Sequence, residues 1–205
     1  LDKFNKADHV SDYFSGILLL NNNQYEDSFK YLKKLDGLEK NHLNYSVKYL
    51  YSLVNSGNLR EAFNYSRKLE KKKLDSFESH LISGIFYLKN SNINLAQAYF
   101  LKAKNANSRF ILNKYISSSL SNWSKLSNLN QAAAELKTLD ERFENLKKIQ
   151  NVFLHCYFDS PNTNNLFLKI TSNQNTDFSR YNYFYASYVA ANKKLRNAKQ
   201  IVNSD

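Results

Sequence analysis

Apolar residues along this chain recur at intervals of three and four, and short polar breaks interrupt them at regular distances. Tyr49, Leu50, Leu53 and Val54 form one stripe, and Leu59, Ala62, Phe63 and Leu69 form the next. That spacing places one apolar face on a helix with 3.6 residues per turn. Between the two stripes stands Asn55-Ser56-Gly57, and similar breaks stand at Asn21-Asn22-Asn23 and Asn90-Ser91-Asn92. After each break comes a related segment, carrying Ser28, Ala62 and Ala96 in turn, and these small residues lie 34 apart. Twelve residues upstream of each are Gly16, Leu50 and Gly84; seven residues downstream are Leu35, Leu69 and Ala103. A period of 34 with a break in its middle predicts two helices per unit, folded as an antiparallel hairpin. Where two helices cross closely only a small side chain fits. Gly16 and Gly84 in first helices, and Ser28, Ala62 and Ala96 in second helices, are therefore expected at the crossings.

This pattern resembles the tetratricopeptide repeat (TPR) family in its degenerate, bacterial-type form. The third unit matches best, through Gly84, Tyr87, Ala96, Phe100 and Ala103. The first supplies Gly16, Leu19, Ser28, Leu32 and Leu35. The second supplies Leu50, Leu53, Ala62, Ser66 and Leu69, with a large residue at the usual glycine position. The closing proline of the family is replaced by Lys40, Leu74 and Ser108, and a frequent early aromatic by Asp12, Ser46 and His80. The resemblance is clear over residues 9–105 and weaker over 109–205. A fourth hairpin reads as Ile116, Leu120 and Trp123, then Ala132, Leu136 and Leu139. A fifth reads as Phe153, Leu154 and Tyr157, a break at Asp159-Ser160-Pro161, then Leu166 and Ile170. A sixth reads as Ala186, Val189, Ala198 and Val202. The resemblance implies an all-α, right-handed α-solenoid of about five or six hairpins, one continuous array over residues 1–205.

It also implies that first helices line a concave groove built from Tyr13, Ile17 and Leu20, then Val47, Tyr51 and Val54, then Leu81, Ile85 and Leu88. Family members that hold a peptide carboxylate use Lys, Asn and Arg at such positions. The apolar set here points instead to an apolar peptide or helix of a protein partner, or to filling by the chain itself. Farther along the groove turns polar, at Ser117, Ser121, Asn151 and His155. The function expected is a protein-binding scaffold.

Composition sharpens this in four places. Only 4 Gly and 1 Pro disfavour a turn-rich all-β fold. The longest apolar run, Ile17 to Leu20, is far below the ~20 residues of a membrane span, so a soluble chain with no transmembrane segment is expected. The sequence begins at Leu1 and contains no Met, which suggests a piece of a longer array; its compartment would be cytoplasmic, or the bacterial envelope (periplasmic) if a signal segment preceded Leu1. Cys156 is the single cysteine, which rules out an internal disulfide and reads as an inert buried thiol.

The net charge of +11 raises a second reading, a basic helical-repeat protein that binds RNA. Lys outnumbers Arg, and 29 asparagines accompany it, as AT-rich codon usage alone would produce. The cations cluster at Lys33-Lys34, Arg67-Lys68, Lys71-Lys72-Lys73, Lys102 and Lys104, and Lys193-Lys194 with Arg196 and Lys199. Most fall near expected helix ends, where they complement the dipole. Nucleic acid is therefore not the expected partner.

No catalytic, metal or cofactor residues are assigned, and no enzyme is expected. His9, His42, His80 and His155 fall at different repeat positions, and none pairs at metal spacing. His155 and Cys156 are adjacent and would diverge on a helix. Glu26 with Asp27, and Asp140 with Glu141, read as solvated helix-start charges, with Thr138 to Glu141 a capping box. The last hairpin, Tyr183 to Val202, carries Tyr185, Val189, Leu195, Ile201 and Val202 with no helix after it; self-association or fraying there is the expectation.

Overall fold

Each polar break in the sequence ends one helix and begins another. The computed structural model describes residues 7–106, 110–172, 179–192 and 195–202, without the side chains of Leu195 and Arg196. Among them stand twelve α-helices, three short 3-10 turns and no strand. They are α1 (Ala7–Asn21), α2 (Tyr25–Lys33), α3 (Leu43–Asn55), α4 (Leu59–Lys71), α5 (Phe77–Lys89), α6 (Ile93–Asn105), α7 (Ile111–Trp123), α8 (Leu129–Lys137), α9 (Glu144–Tyr157), α10 (Thr163–Thr171), α11 (Asn182–Ala191) and α12 (Leu195–Val202).

The first three breaks share one backbone device. Asn23, Gly57 and Ser91 all have positive φ, at 60°, 79° and 59°. The next residues, Gln24, Asn58 and Asn92, donate their N–H to the carbonyls of Leu19, Leu53 and Tyr87 at 2.8–2.9 Å. Asn23, Gly57 and Ser91 donate in turn to Leu20, Val54 and Leu88 at 3.0–3.2 Å. These Schellman turns satisfy carbonyls that a helix end leaves open and reverse the chain at once. The next helix starts one residue later, at Tyr25, Leu59 and Ile93, which preserves the 34-residue spacing.

The chain forms two compact units, Leu1–Ser124 and Lys125–Asp205. In the first, each helix from α1 to α7 packs on the next, and α3 also touches α1 and α5. Its core joins Leu32, Leu35, Tyr45, Tyr49, Leu50, Leu53, Ala62, Tyr65, Leu69 and Ile82. The crossings are as close as the small residues require. A Cβ on Gly16 would lie 2.7 Å from Leu32 Cδ2, and one on Gly84 would lie 2.5 Å from Phe100 Cε1. Ser28, Ala62 and Ala96 are fully buried, and Ser28 Oγ donates to the Gly16 carbonyl at 2.8 Å.

In the second unit α8 packs on α9, α9 on α10, α10 on α11 and α11 on α12. The core joins Ile149, Val152, Phe167, Ile170, Tyr185, Ala186, Val189 and Ala198. Of the expected fourth hairpin, α7 belongs to the first unit and α8 to the second.

Several expectations change. Val54 does not complete the buried stripe of α3; it is exposed, because Tyr49, Leu50 and Leu53 already occupy the inward face. Thr138 and Glu141 form no capping box. Thr138 Oγ1 donates to the Glu135 carbonyl at 2.7 Å, and Asp140 accepts from the Arg142 N–H at 3.0 Å as the cap of the 3-10 turn Glu141–Phe143. Hydrogen bonds from Arg142 hold the Asp140 carboxyl down at about 2. In the last hairpin Tyr185 and Val189 are buried and Ile201 packs on the core, so these residues are not the open apolar surface anticipated there. Tyr183, Phe184 and Val202 are exposed. Ser108, Lys193, Lys194 and the side chains of Leu195 and Arg196 lie outside the described residues.

Candidate functional site

The first helices present an apolar face at equivalent repeat positions. Tyr51 is 51% exposed, Val54 42% and Ile85 36%. Ile17, Val47, Leu81 and Leu88 are half-buried. On α3 the inward positions belong to Tyr45, Tyr49, Leu50, Ser52 and Leu53, which leaves Tyr51 and Val54 together on the outward side at i and i+3. Tyr51 meets the ring edge of Tyr25 with centroids 6.0 Å apart. Val47 lines a cleft of about 520 Å³ with Leu43, Asn44, Ser46 and Lys73 to Ser76. Two members of the anticipated groove are used differently. Leu20 is buried. Tyr13 is half-buried against the core, and its hydroxyl lies 2.9 Å from His42 Nε2.

A second surface runs over the second helices, where most of the anticipated basic clusters lie. Six of these cations are paired within the chain. Lys33 meets Glu61 at 3.1 Å, and Lys34 meets Asp12 at 2.9 Å. Lys68 pairs with Asp36, and Arg67 with Glu70. Lys72 Nζ donates to Glu39 Oε1 at 2.6 Å, and Lys102 Nζ to Glu70 Oε1 at 2.5 Å. Tyr99 Oη adds a bond to Glu70 Oε2 at 2.7 Å. Lys71, Lys73 and Lys104 make no ion pair among the described residues.

Glu39 is the buried member of this set. Burial pushes its carboxyl up, but Lys72 and the backbone N–H groups of Glu39 and Gly37 outweigh that and hold it below the usual carboxylate range. Glu70 is likewise held low: Lys102 and Arg67 outweigh its desolvation. Sequence reading missed both carboxylates. Their signal was available, since Glu39 and Lys72 stand 33 residues apart and Glu70 and Lys102 stand 32 apart, near one repeat. An open cleft of about 750 Å³ lies on this surface, lined by Lys33, Asp36, Tyr49, Gly57, Asn58, Leu59, Arg60, Glu61, Asn64, Tyr65 and Lys68. None of the nine groove residues borders it. Its charges are largely matched, so it offers mixed polarity rather than one sign.

The nucleophile and metal candidates do not converge. His155 Nδ1 lies 2.9 Å from Ser160 Oγ, and His80 Nε2 lies 2.9 Å from Asp75 Oδ2. Burial pushes the Cys156 thiol up, and Asp159 adds to that, which disfavours the reactive thiolate. Among the described residues no three His, Cys, Asp or Glu side chains gather as a metal-binding group, and no helix is long and apolar enough to cross a membrane. No protein-family model matches the chain, and no curated protein is significantly similar to it.

Proposed function

We propose that this chain is a protein-interaction scaffold of the tetratricopeptide-like type, a right-handed array that holds a partner peptide or helix on its first-helix face. The observation that carries the reading is the exposure of Tyr51, Val54 and Ile85, with half-buried Ile17 and Leu88, at repeat-equivalent positions on successive first helices. An apolar face of this kind, with its polar partners elsewhere, suits a short amphipathic or apolar segment. The 34-residue spacing of helix starts and the glycine crossings support the family reading. The RNA-binding alternative loses ground because Lys33, Lys34, Arg67, Lys68, Lys72 and Lys102 are engaged by carboxylates of the same chain. The test is selection of a displayed peptide library on the folded chain, followed by affinity measurement on Tyr51→Glu and Ile85→Glu. Selected peptides should be rich in apolar residues and lose at least about tenfold in affinity on either variant. Peptides that bind both variants as tightly as the parent would overturn the groove.

A further inference from the structure

The turn after α2 contains a chemically reactive bond. Asp36-Gly37 is the one place in the sequence where glycine follows an Asp or Asn; Gly16, Gly57 and Gly84 each follow serine. In an Asp-Gly pair the glycine nitrogen can attack the aspartate carboxyl, because no Cβ on the glycine blocks the approach. The Asp36 side chain is 56% exposed, and its pair with Lys68 is open to water at both ends, so that contact restrains it weakly. The carboxyl is available, and the reaction turns on the nitrogen.

The Gly37 nitrogen is engaged. Its N–H donates to Glu39 Oε2 at 2.8 Å. Glu39 is fully buried in the 3-10 turn Leu38–Lys40, and its Oε1 accepts from Lys72 Nζ at 2.6 Å. Gly37 has φ of 107°, a left-handed backbone that glycine holds without strain. The Leu38 N–H donates to the Leu35 carbonyl at 2.9 Å, which fixes the other side of Gly37. The residue that makes the bond reactive is therefore the one the turn needs. Attack requires the N–H proton to leave and the nitrogen to swing toward the Asp36 side chain. A carboxylate that already holds that proton places negative charge beside the nitrogen and disfavours the amide anion. The same hydrogen bond locks the peptide plane.

We propose that Asp36-Gly37 is a self-modification site, converting aspartate to isoaspartate, and that Glu39 keeps it closed by holding the Gly37 N–H. In the open site the Gly37 nitrogen bonds to Cγ of the protonated Asp36 carboxyl. The N–H proton and the carboxyl hydroxyl leave together as water, which closes a succinimide ring. Water then adds to the former main-chain carbonyl of Asp36. The bond from that carbon to the Gly37 nitrogen breaks, the nitrogen takes back a proton, and the carbon becomes a carboxyl group. The main chain now runs through the Asp36 side chain, longer by one carbon, and the Gly37 N–H no longer meets Glu39.

The test is warm incubation of the intact chain at neutral pH in heavy-oxygen water, followed by digestion in ordinary water. Each ring opened takes up one heavy oxygen, which mass spectrometry reads in the tryptic peptide of residues 35–40. The folded parent should label at least about tenfold more slowly than the same chain unfolded in urea. Glu39→Leu, which removes the acceptor, should label at least about tenfold faster than the parent. Gly84→Ala strains a different crossing and leaves the Gly37 bond in place; it should label within about threefold of the parent. Circular dichroism checks that both variants fold. Amide exchange at Gly37 needs no variant, and should be protected in the parent. Equal labelling of folded and unfolded parent overturns the proposal, as does free exchange at Gly37. Equal acceleration by Gly84→Ala and Glu39→Leu overturns it too, since general loosening would then open the site. So does slower labelling of Glu39→Leu, because the carboxylate would then be acting as a base.

Discussion

Two residues at one crossing set the tolerance of the whole repeat. Gly84 accepts Phe100 so closely that a methyl group would overlap the ring. Gly84→Ala should cost roughly 1–3 kcal/mol in urea unfolding, and Phe100→Leu should relieve part of that cost in the double variant. The second hairpin uses the reverse combination, Leu50 with Ser66, both buried. The total volume is thus kept while the glycine is lost, which explains how this hairpin packs without the glycine its neighbours use. Ala62→Arg and Ala96→Arg should each prevent close packing, because both positions are fully buried and would enclose an unpaired charge. Ser91 holds a left-handed backbone that favours glycine, which Gly57 supplies one repeat earlier. Ser91→Gly should raise stability by about 0.5–1 kcal/mol, measured by the same unfolding curves.

Between elements, one buried and one half-buried carboxylate tie one hairpin to the next. Glu39 stands in the 3-10 turn Leu38–Lys40 after α2 and receives Lys72, just past the end of α4. Glu70 on α4 receives Lys102 and Tyr99 from α6. Glu39→Gln should lower stability by about 1–3 kcal/mol at neutral pH, in the range of hydrogen bonds to a charged group. The sign of the pH dependence follows from its lowered pKa. A carboxylate depressed by folding stabilises above its ordinary value of 4.5, and that contribution is lost as pH falls through the folded value. The gap between the parent and Glu39→Gln should therefore be full near pH 7, begin to narrow as pH drops below the ordinary value of 4.5, and close as pH passes the lower folded value, as thermal melts across pH would reveal.

At the scale of the molecule, the net charge is +11. Much of the cation on the second helices is spent on carboxylates one repeat away. Binding to single-stranded or duplex RNA should be weak, without sequence preference, and largely lost between about 50 and 200 mM salt. Tight binding to one RNA sequence at physiological salt would instead support the basic-repeat alternative. Each unit has its own core, and in the second Phe167 lies between Phe153 and Tyr185 with ring centroids 6.3 and 5.1 Å away. Phe167→Ala should cost about 3–5 kcal/mol there, read as lost hydrogen-exchange protection in α9 to α11.

The local rhythm of this protein is written in its sequence. Apolar spacing and polar breaks locate the hairpins, because a helix must turn one face inward and its ends must be satisfied by turn residues. Gly16, Gly84, Ser28, Ala62 and Ala96 mark the crossings for the same reason: backbone approach leaves no volume for more. Tertiary structure alone decided what each apolar residue faces. Leu20 and Leu18 share a helix and a chemistry, yet one is buried and the other open, since burial depends on which neighbouring helix arrives. Tyr185 and Val189 turned inward to the second core for that reason, where Ala198 of α12 joins them. The Lys72 bond to Glu39 and the Lys102 bond to Glu70 left only a spacing near one repeat in the sequence, because those partners are more than thirty residues distant and meet only in the folded stack.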